Sequence, residues 1–176
     1  MTSTGPPDVG DAGLSGRWVL LAYRLPREPS RPRIAVWRKL ERLGVARLGD
    51  GLVALPTDAR TREHLDWLAD EISEYGGTAT VWLASPSTAG QERHIAATMR
   101  AARAAEYQTV ITEAGVAASA GEVERARVVR RLRGELRRIA RRDFFPPPER
   151  DRARTAVQAL ADTVAPVDRE PEQERA

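Results

Sequence analysis

Arginine is the residue type in this chain whose number and spacing could carry chemistry. Of the 28 basic residues, only Lys39 is a lysine. The stretch 122–142 (EVERARVVRRLRGELRRIARR) holds nine arginines and three glutamates, a net charge of +6 against +3 for the whole chain. Because a guanidinium group binds phosphate through two parallel hydrogen bonds, this stretch predicts contact with nucleic-acid phosphates. The alternatives are a solvated helix face and a genome-wide bias toward arginine.

A second arginine cluster (Arg24, Arg27, Arg31 and Arg33) surrounds the predicted start of a helix. Cations at a helix N-terminus oppose the helix dipole, so the cluster does not help folding and is a candidate for binding an anion. The alternative is partial neutralisation by Glu28 with the other side chains solvated. The residues of both clusters that we predict to bind DNA are Arg27, Arg31, Arg33, Arg130, Arg131, Arg137, Arg138, Arg141 and Arg142.

The sequence lacks the patterns that enzymes and metal sites need. It contains no cysteine, which excludes disulfides, thiolate metal sites and a cysteine nucleophile. His64 and His94 are the only histidines, and no second histidine or carboxylate keeps metal-ligand spacing with His94 on one helix face. No Ser/His/Asp order, glycine-rich phosphate loop or nucleophile elbow is present. We therefore predict a protein that is not an enzyme and uses no metal or cofactor.

The bulk composition is that of a soluble globular protein with one domain and a smaller satellite. The chain has 176 residues, 41% hydrophobic and 30% charged. No apolar run approaches the ~20 residues of a membrane helix. The first sixteen residues lack the basic start and apolar block of a signal peptide. We expect a cytoplasmic protein that does not bind membranes, with disordered tails at 1–16 and 166–176.

The apolar residues between 17 and 85 predict an α+β domain with the element order β-α-β-β-α-β. This is the ferredoxin-like, or split βαβ, arrangement. Right-handed crossovers would place both helices on one face of an antiparallel sheet with strand order 4-1-3-2. The predicted strands are 18–23, 45–48, 52–55 and 78–84, and the predicted helices run from 30 to 43 and from 57 or 58 to 75.

Packing is the predicted role of three of the four tryptophans. Trp37 falls on the apolar stripe of the first helix, with Ile34, and is predicted to be buried against the sheet. Trp18 and Trp82 alternate within strands, so we expect them in the core or in an interface. Trp67 lies off the apolar stripe of its helix, and we expect it to be exposed.

The capping signals and the second half of the chain predict helices. Ser30 is the predicted N-cap of the first helix. Residues 86–165 are predicted to form a helical extension of the 17–85 domain, with helices at about 89–114, 122–142 and 149–164. The last two carry apolar stripes at spacings of three and four residues, which predicts an antiparallel helix hairpin. The stripe residues are Val129, Leu132, Leu136, Ile139, Ala153, Val157, Leu160 and Val164.

The stretch 17–56 (RWVLLAYRLPREPSRPRIAVWRKLERLGVARLGDGLVALP) resembles the opening of the N-terminal domain of the chromate-resistance ChrB family. The resemblance extends to about residue 145 and is most specific through residue 84. A weaker similarity reaches the middle domain of phenylacetate-degradation repressors, which shares the ferredoxin-like fold of the small CRISPR adaptation nuclease. The residues that carry the ChrB resemblance are Leu25-Pro26, Ser30, Arg33, Ala35-Val36-Trp37-Arg38, Leu40, Leu43-Gly44, Asp50-Gly51, Leu55-Pro56, Thr61-Arg62-Glu63, Gly76-Gly77, Val81-Trp82 and Arg141-Arg142-Asp143-Phe144-Phe145.

The ChrB resemblance implies a transcriptional regulator of chromate-efflux genes that contacts double-stranded DNA. Tyr23 and Arg24 stand where the nuclease has a metal-binding aspartate at the end of its first strand, so nuclease chemistry is not implied. Longer ChrB proteins continue into a second, chromate-sensing domain. We therefore expect a homodimeric DNA-binding module, alone or with a separately encoded sensor. The alternative is a non-catalytic interaction module that pairs with such a sensor and does not bind nucleic acid.

Overall fold

The computed structural model describes residues 17–164, and the predicted tails at 1–16 and 166–176 lie outside them. The chain divides after Arg100 into two compact units. The described elements are β1 (Trp18–Arg24), α1 (Ser30–Leu43), β2 (Ala46–Gly49), β3 (Leu52–Pro56), α2 (Ala59–Glu74), β4 (Thr78–Ala84), α3 (Ala89–Ala117), α4 (Glu122–Ala140) and α5 (Glu149–Asp162). The α+β class is confirmed, and α3 begins in the first unit and ends in the second.

The first unit contains one antiparallel sheet of four strands in the order β2-β3-β1-β4. Read from the β4 edge, the same neighbours are 4-1-3-2. The central strand β1 pairs with β4 along its whole length, from Trp18 opposite Ala84 to Arg24 opposite Thr78. Every residue of β1 is apolar except Tyr23 and Arg24, as expected for a strand with two neighbours and covered faces.

The turn between β2 and β3 depends on Gly51. Its φ of 71° lies in the left-handed region, and a Cβ atom there would come within 2.2 Å of the Tyr23 carbonyl oxygen. The Gly51 carbonyl oxygen also accepts a hydrogen bond from the Tyr23 N–H at 2.7 Å. Only glycine tolerates both the positive φ and the close approach of the Tyr23 carbonyl oxygen. The predicted hairpin is therefore confirmed, with its glycine in the expected role.

The apolar face of α1 differs from the predicted one. Val36 and Leu40 are buried, whereas Ile34 is 47% and Trp37 50% exposed. The prediction that Trp37 is buried against the sheet is therefore wrong. Leu40 belongs to two overlapping helical stripes, one through Trp37 and one through Val36. The stripe that includes Val36 faces the core.

The other tryptophans divide between core and surface. Trp18 is 3% exposed, as expected for a core residue, and its Nε1 donates a hydrogen bond to the buried carboxylate of Glu92 at 3.1 Å. Trp67 is 61% exposed, which confirms its predicted position off the apolar stripe. Trp82 is 58% exposed, so it is not a core residue of the described chain.

Helix α1 begins without a side-chain cap, and α2 begins with a complete one. The N-cap of α1 is Pro29 rather than Ser30, and no side chain bonds to the first turn. The N-cap of α2 is Asp58, whose Oδ1 accepts from the Thr61 N–H at 2.6 Å while Thr61 Oγ1 accepts from the Asp58 N–H at 2.9 Å. The cap predicted at Ser30 is therefore wrong, and the α2 start predicted at 57 or 58 is confirmed.

The second unit packs the end of α3 against α4 and α5. Its core combines Tyr107, Val110 and Ala114 of α3 with apolar residues of α4 and α5. Arg125, near the start of α4, donates to the carbonyl oxygen of Thr163 at the end of α5 at 3.0 Å, so these two helices run antiparallel. In the described residues, no helix is both long enough and apolar enough to cross a membrane.

Candidate nucleic-acid interface

The nine arginines between 122 and 142 separate into distinct groups on α4 and the turn after it. Four lie at spacings of three and four residues and therefore share one face of the helix. All four are exposed, and none of them forms an ion pair with another described residue. We call this set the open stripe; its members are Arg130, Arg133, Arg137 and Arg141.

A neighbouring face of the same helix carries arginines that are already paired. Arg131 Nη2 lies 2.6 Å from Glu113 Oε2 of α3. Arg127 and Arg138 pair with glutamates three residues earlier on α4, with Arg127 Nε 3.1 Å from the Glu124 carboxylate. These contacts leave Arg127, Arg131 and Arg138 partly neutralised, so they differ from the open stripe although they too are exposed.

Arg142 and Arg125 are held more firmly. Arg142 Nη2 donates to Glu106 Oε2 of α3 at 2.8 Å, and the Arg142 side chain is only 21% exposed. Arg125 Nη1 donates to the carbonyl oxygen of Ala120 at 2.6 Å, in addition to its bond to Thr163. Both side chains link segments of the second unit, so the structure gives them a role in holding that unit together.

The open stripe borders a shallow hollow between α4 and the end of α5. The hollow has a volume of about 340 Å³, and Val129, Ala161 and Val164 form its apolar part. Arg130, Arg133 and Arg137 stand around it. Its first and last members are eleven positions apart, or roughly 16 Å at about 1.5 Å of rise per residue. That length follows several successive phosphates of one DNA strand, which rise by about 3.4 Å each.

The predicted arginines of the first unit are exposed and lie around the start of α1. Arg33 Nη1 donates to the carbonyl oxygen of Arg27 at 3.0 Å, which fixes the corner before the helix. Arg31 is exposed on the first turn of α1, which carries no acidic residue. These three predicted residues therefore come together, and no carboxylate on that turn competes for them.

An open groove of about 800 Å³ lies beside this corner and combines arginine with aromatic side chains. Arg24 and Arg33 line it together with Tyr23 and the exposed Trp37, and Asp50 is its one acidic lining residue. Burial raises the pKa of the Tyr23 hydroxyl, so the phenol is neutral at physiological pH. Sequence reasoning assigned Trp37 to the core and therefore missed this groove. A basic groove with aromatic walls suits the phosphates and bases of a nucleic acid.

A second cavity in the first unit, of about 620 Å³, has a different chemistry. Trp18, Leu20 and Ala54 of the sheet form its floor, and Ile95 and His94 of α3 stand at its side. Its lining contains no arginine, lysine or carboxylate, so it does not suit a phosphate as the basic groove does. Within residues 17–164, no group of three or more His, Cys, Asp or Glu side chains is arranged to hold a metal ion.

Comparison with known proteins gives one result for this chain. The model of the family described as "Protein ChrB, N-terminal" matches residues 33–125, slightly more than half of the chain. Neither the curated proteins nor the solved structures gave a significant match. The matched range begins within α1, contains the β2–β3 hairpin, α2, β4 and α3, and ends in the first turn of α4. This chain belongs to the family of the ChrB N-terminal domain.

Proposed function

We propose that this protein binds double-stranded DNA through arginine–phosphate contacts and acts as a regulator, or as the DNA-binding module of a regulator, in chromate resistance. Family membership suggests the chromate-resistance context. The observation that supports DNA binding is the open stripe, because four exposed guanidinium groups on one helix face have no carboxylate partner among the described residues. Folding favours cations only near the end of the helix, where Arg137 and Arg141 complement the helix dipole. Along the rest of the stripe, like charges at spacings of three and four residues are mildly destabilising.

The ion pairs on α4 refine which of the predicted arginines carry the contact. Arg130, Arg137 and Arg141 belong to the open stripe, and Arg133 joins them. Arg131, Arg138 and Arg142 would have to give up a glutamate before they could bind phosphate, which lowers the gain from each contact. In the first unit, Arg27, Arg31 and Arg33 remain proposed contacts, with Arg24 and Trp37 added through the groove that they line.

The proposal also includes the fold assignment and the absence of catalysis. The element order of the first unit and its strand neighbours support a ferredoxin-like arrangement. The family context is regulatory, and no catalytic constellation was found in the sequence. That the protein neither cleaves nucleic acid nor uses a metal or cofactor stays a prediction.

The test is a binding measurement with a duplex taken from the DNA upstream of the protein's own gene and a scrambled duplex of equal length. Fluorescence anisotropy at several salt concentrations should show binding to both, tighter for the upstream sequence. The logarithm of the association constant should fall linearly with the logarithm of salt, with a slope of about −0.9 per phosphate contacted. Absence of binding to either duplex at low salt would rule the proposal out.

One observation favours the alternative of an interaction module that pairs with a separate chromate sensor. The uncharged cavity over Trp18 and Leu20 and the exposed Trp82 give the first unit an apolar surface that DNA binding does not use. If the protein is folded but binds neither duplex, this alternative becomes the leading one.

A further inference from the structure

Strand β4 forms one edge of the sheet and is long, regular and uncharged. It pairs with β1 over all seven of its residues without a bulge. Its sequence, TATVWLA, contains no charged residue, no proline and no glycine. Among residues 17–164, no strand pairs with its outer side. An exposed edge with these properties is a template for pairing with another chain.

The opposite edge of the sheet is protected against such pairing. Strand β2 has only four residues, and its register with β3 shifts between Arg47 and Gly49. Arg47 also places a charge on this edge and pairs with Glu41 at 2.7 Å. Short length, irregular register and charge are the features by which proteins keep sheet edges from associating. Strand β4 has none of them.

Large apolar side chains are exposed on both faces of β4. Trp82 is 58% and Leu83 48% exposed, and successive strand residues point to opposite faces of a sheet. A ligand or a protein bound to one face would cover only one of these two side chains. A strand added to the edge continues both faces of the sheet. It therefore places side chains beside both Trp82 and Leu83.

The hydrogen bonds of β1 determine which backbone groups of β4 point outward. The Tyr23 N–H donates to the Gly51 carbonyl oxygen at 2.7 Å, and the Thr57 N–H donates to the Arg17 carbonyl oxygen at 2.9 Å. Odd-numbered residues of β1 therefore direct their backbone groups to β3, and even-numbered residues direct theirs to β4.

The register of β1 with β4 carries this alternation across to the edge. Even-numbered residues of β1 stand opposite even-numbered residues of β4, such as Leu20 opposite Trp82. The odd-numbered residues of β4 therefore direct their N–H and C=O groups away from β1. Those residues are Ala79, Val81 and Leu83.

We propose that β4 pairs with β4 of a second copy of this chain, antiparallel and centred on Val81. In this register Val81 stands opposite its own counterpart, and Ala79 stands opposite Leu83 of the other copy. Each opposed pair exchanges both of its backbone hydrogen bonds, so the outward groups of all three residues are satisfied. The two sheets become one continuous sheet of eight strands around a two-fold axis.

The choice of a second copy rests on the self-complementarity that a two-fold interface requires. Opposed side chains combine a small residue with a large one on each face: Ala79 with Leu83, and Thr80 with Trp82. The strand carries no charge that would repel its own copy. Centring the pair on Ala79 or on Leu83 instead would shorten the paired segment, and a shift by one residue would oppose outward groups with inward ones. This pairing does not depend on DNA binding.

The chain contains no cysteine, so a single introduced cysteine reports on one register. Val81→Cys should form a disulfide-linked dimer on mild oxidation, because opposed Cα atoms of a hydrogen-bonded pair lie about 5.5 Å apart, within disulfide range. Leu83→Cys should not, because the two copies of residue 83 would be about 13 Å apart at about 3.3 Å per residue. Trp67→Cys, on the exposed face of α2, is the control for random collision.

Sedimentation of the unmodified protein should show a dimer. Val81→Pro removes an N–H that points away from β1, so the bonds between β1 and β4 are kept while the dimer is lost. Trp67→Ala removes an exposed tryptophan from another element and should remain dimeric; circular dichroism checks that both variants fold. A monomeric parent, or cross-linking of Leu83→Cys or Trp67→Cys as fast as that of Val81→Cys, would overturn the proposal.

Discussion

The hydroxyl of Tyr107 donates a hydrogen bond to Oδ2 of Asp143 at 3.0 Å, and both side chains are buried. Tyr107 lies on α3, and Asp143 lies in the turn that follows α4. Beside this bond, Arg142 of the same turn pairs with Glu106 of α3. These two neighbouring links fix α4 against α3, and the open stripe is presented on the part of α4 that faces neither link.

The Tyr107–Asp143 bond predicts a stability loss on deletion. Tyr107→Phe leaves a fully buried carboxylate with one donor fewer, which should lower the free energy of unfolding by about 1–3 kcal/mol. Tyr75→Phe is the matched control, because its hydroxyl bonds to Glu71 at an exposed site, and it should cost less than about 0.5 kcal/mol. Urea denaturation of both variants measures the difference, and equal losses would contradict the account of the second unit.

The same tyrosine predicts a pH dependence. Burial, and then the hydrogen bond to Asp143, raise the pKa of Tyr107 to about 12. Since the folded-state pKa lies above the unfolded one, the contribution of this group is complete below about pH 10 and is lost as the pH rises toward 12. The difference in unfolding free energy between parent and Tyr107→Phe should therefore shrink over that range. A difference that stays constant with pH would show that the hydroxyl is not the group responsible.

Truncating Leu40 of α1 should lower the free energy of unfolding much more than truncating Trp37 of the same helix. Leu40 is 1% exposed, so Leu40→Ala should cost about 2–5 kcal/mol. Trp37 is half exposed, and Trp37→Ala should cost about 1 kcal/mol or less while weakening DNA binding through the groove beside Arg24 and Arg33. Thermal melts and anisotropy on the two variants separate the effects. A large stability loss for Trp37→Ala would mean that its indole packs in the core.

The Asp58 cap of α2 should contribute measurably to the free energy of unfolding. Asp58→Ala removes the acceptor for the Thr61 N–H and should destabilise the protein by about 0.5–2 kcal/mol near neutral pH. Hydrogen bonds from the backbone of Thr61 lower the pKa of Asp58, so its contribution is present above the unfolded pKa of about 3.9 and is lost as the pH falls through the folded value. Stability curves of parent and variant should converge in acid; parallel curves would speak against the cap.

Most of the first unit could be predicted from the sequence because local signals there agree with tertiary packing. The glycines after α1 and in the β2–β3 turn mark positions with positive φ, and β4 alternates in polarity from Thr78 to Val81. The prediction that Trp37 is buried was wrong because hydrophobicity alone does not choose between two overlapping helical stripes around Leu40. That choice depends on where the sheet lies, which α1 does not encode.

The arginines of the candidate site could be named from the sequence, but they could not be divided into open and ion-paired ones. Sequence reasoning considered only the three glutamates within 122–142 and concluded that most arginines of this stretch have no carboxylate partner. The structure adds Glu113 and Glu106 of α3, which pair with Arg131 and Arg142 across the unit. Such pairs lie 18 or more residues apart in the chain, so no local pattern reveals them.

The most direct test of the central claim compares two triple variants of α4 that remove the same charge from the same helix. The first changes Arg130, Arg137 and Arg141 of the open stripe to Gln. The second changes three arginines that are exposed but ion-paired, Arg127, Arg131 and Arg138. Neither set is buried, so melting temperatures should move little.

Salt titrations of DNA binding give the decisive measurement. The open-stripe variant should bind both the upstream and the scrambled duplex more weakly, and its log–log salt slope should flatten by roughly two to three units. The paired-arginine variant should lose less than about one unit, because its three side chains contribute few phosphate contacts. Equal losses in the two variants, or no loss in the first, would contradict the claim that the open stripe of α4 binds DNA phosphate.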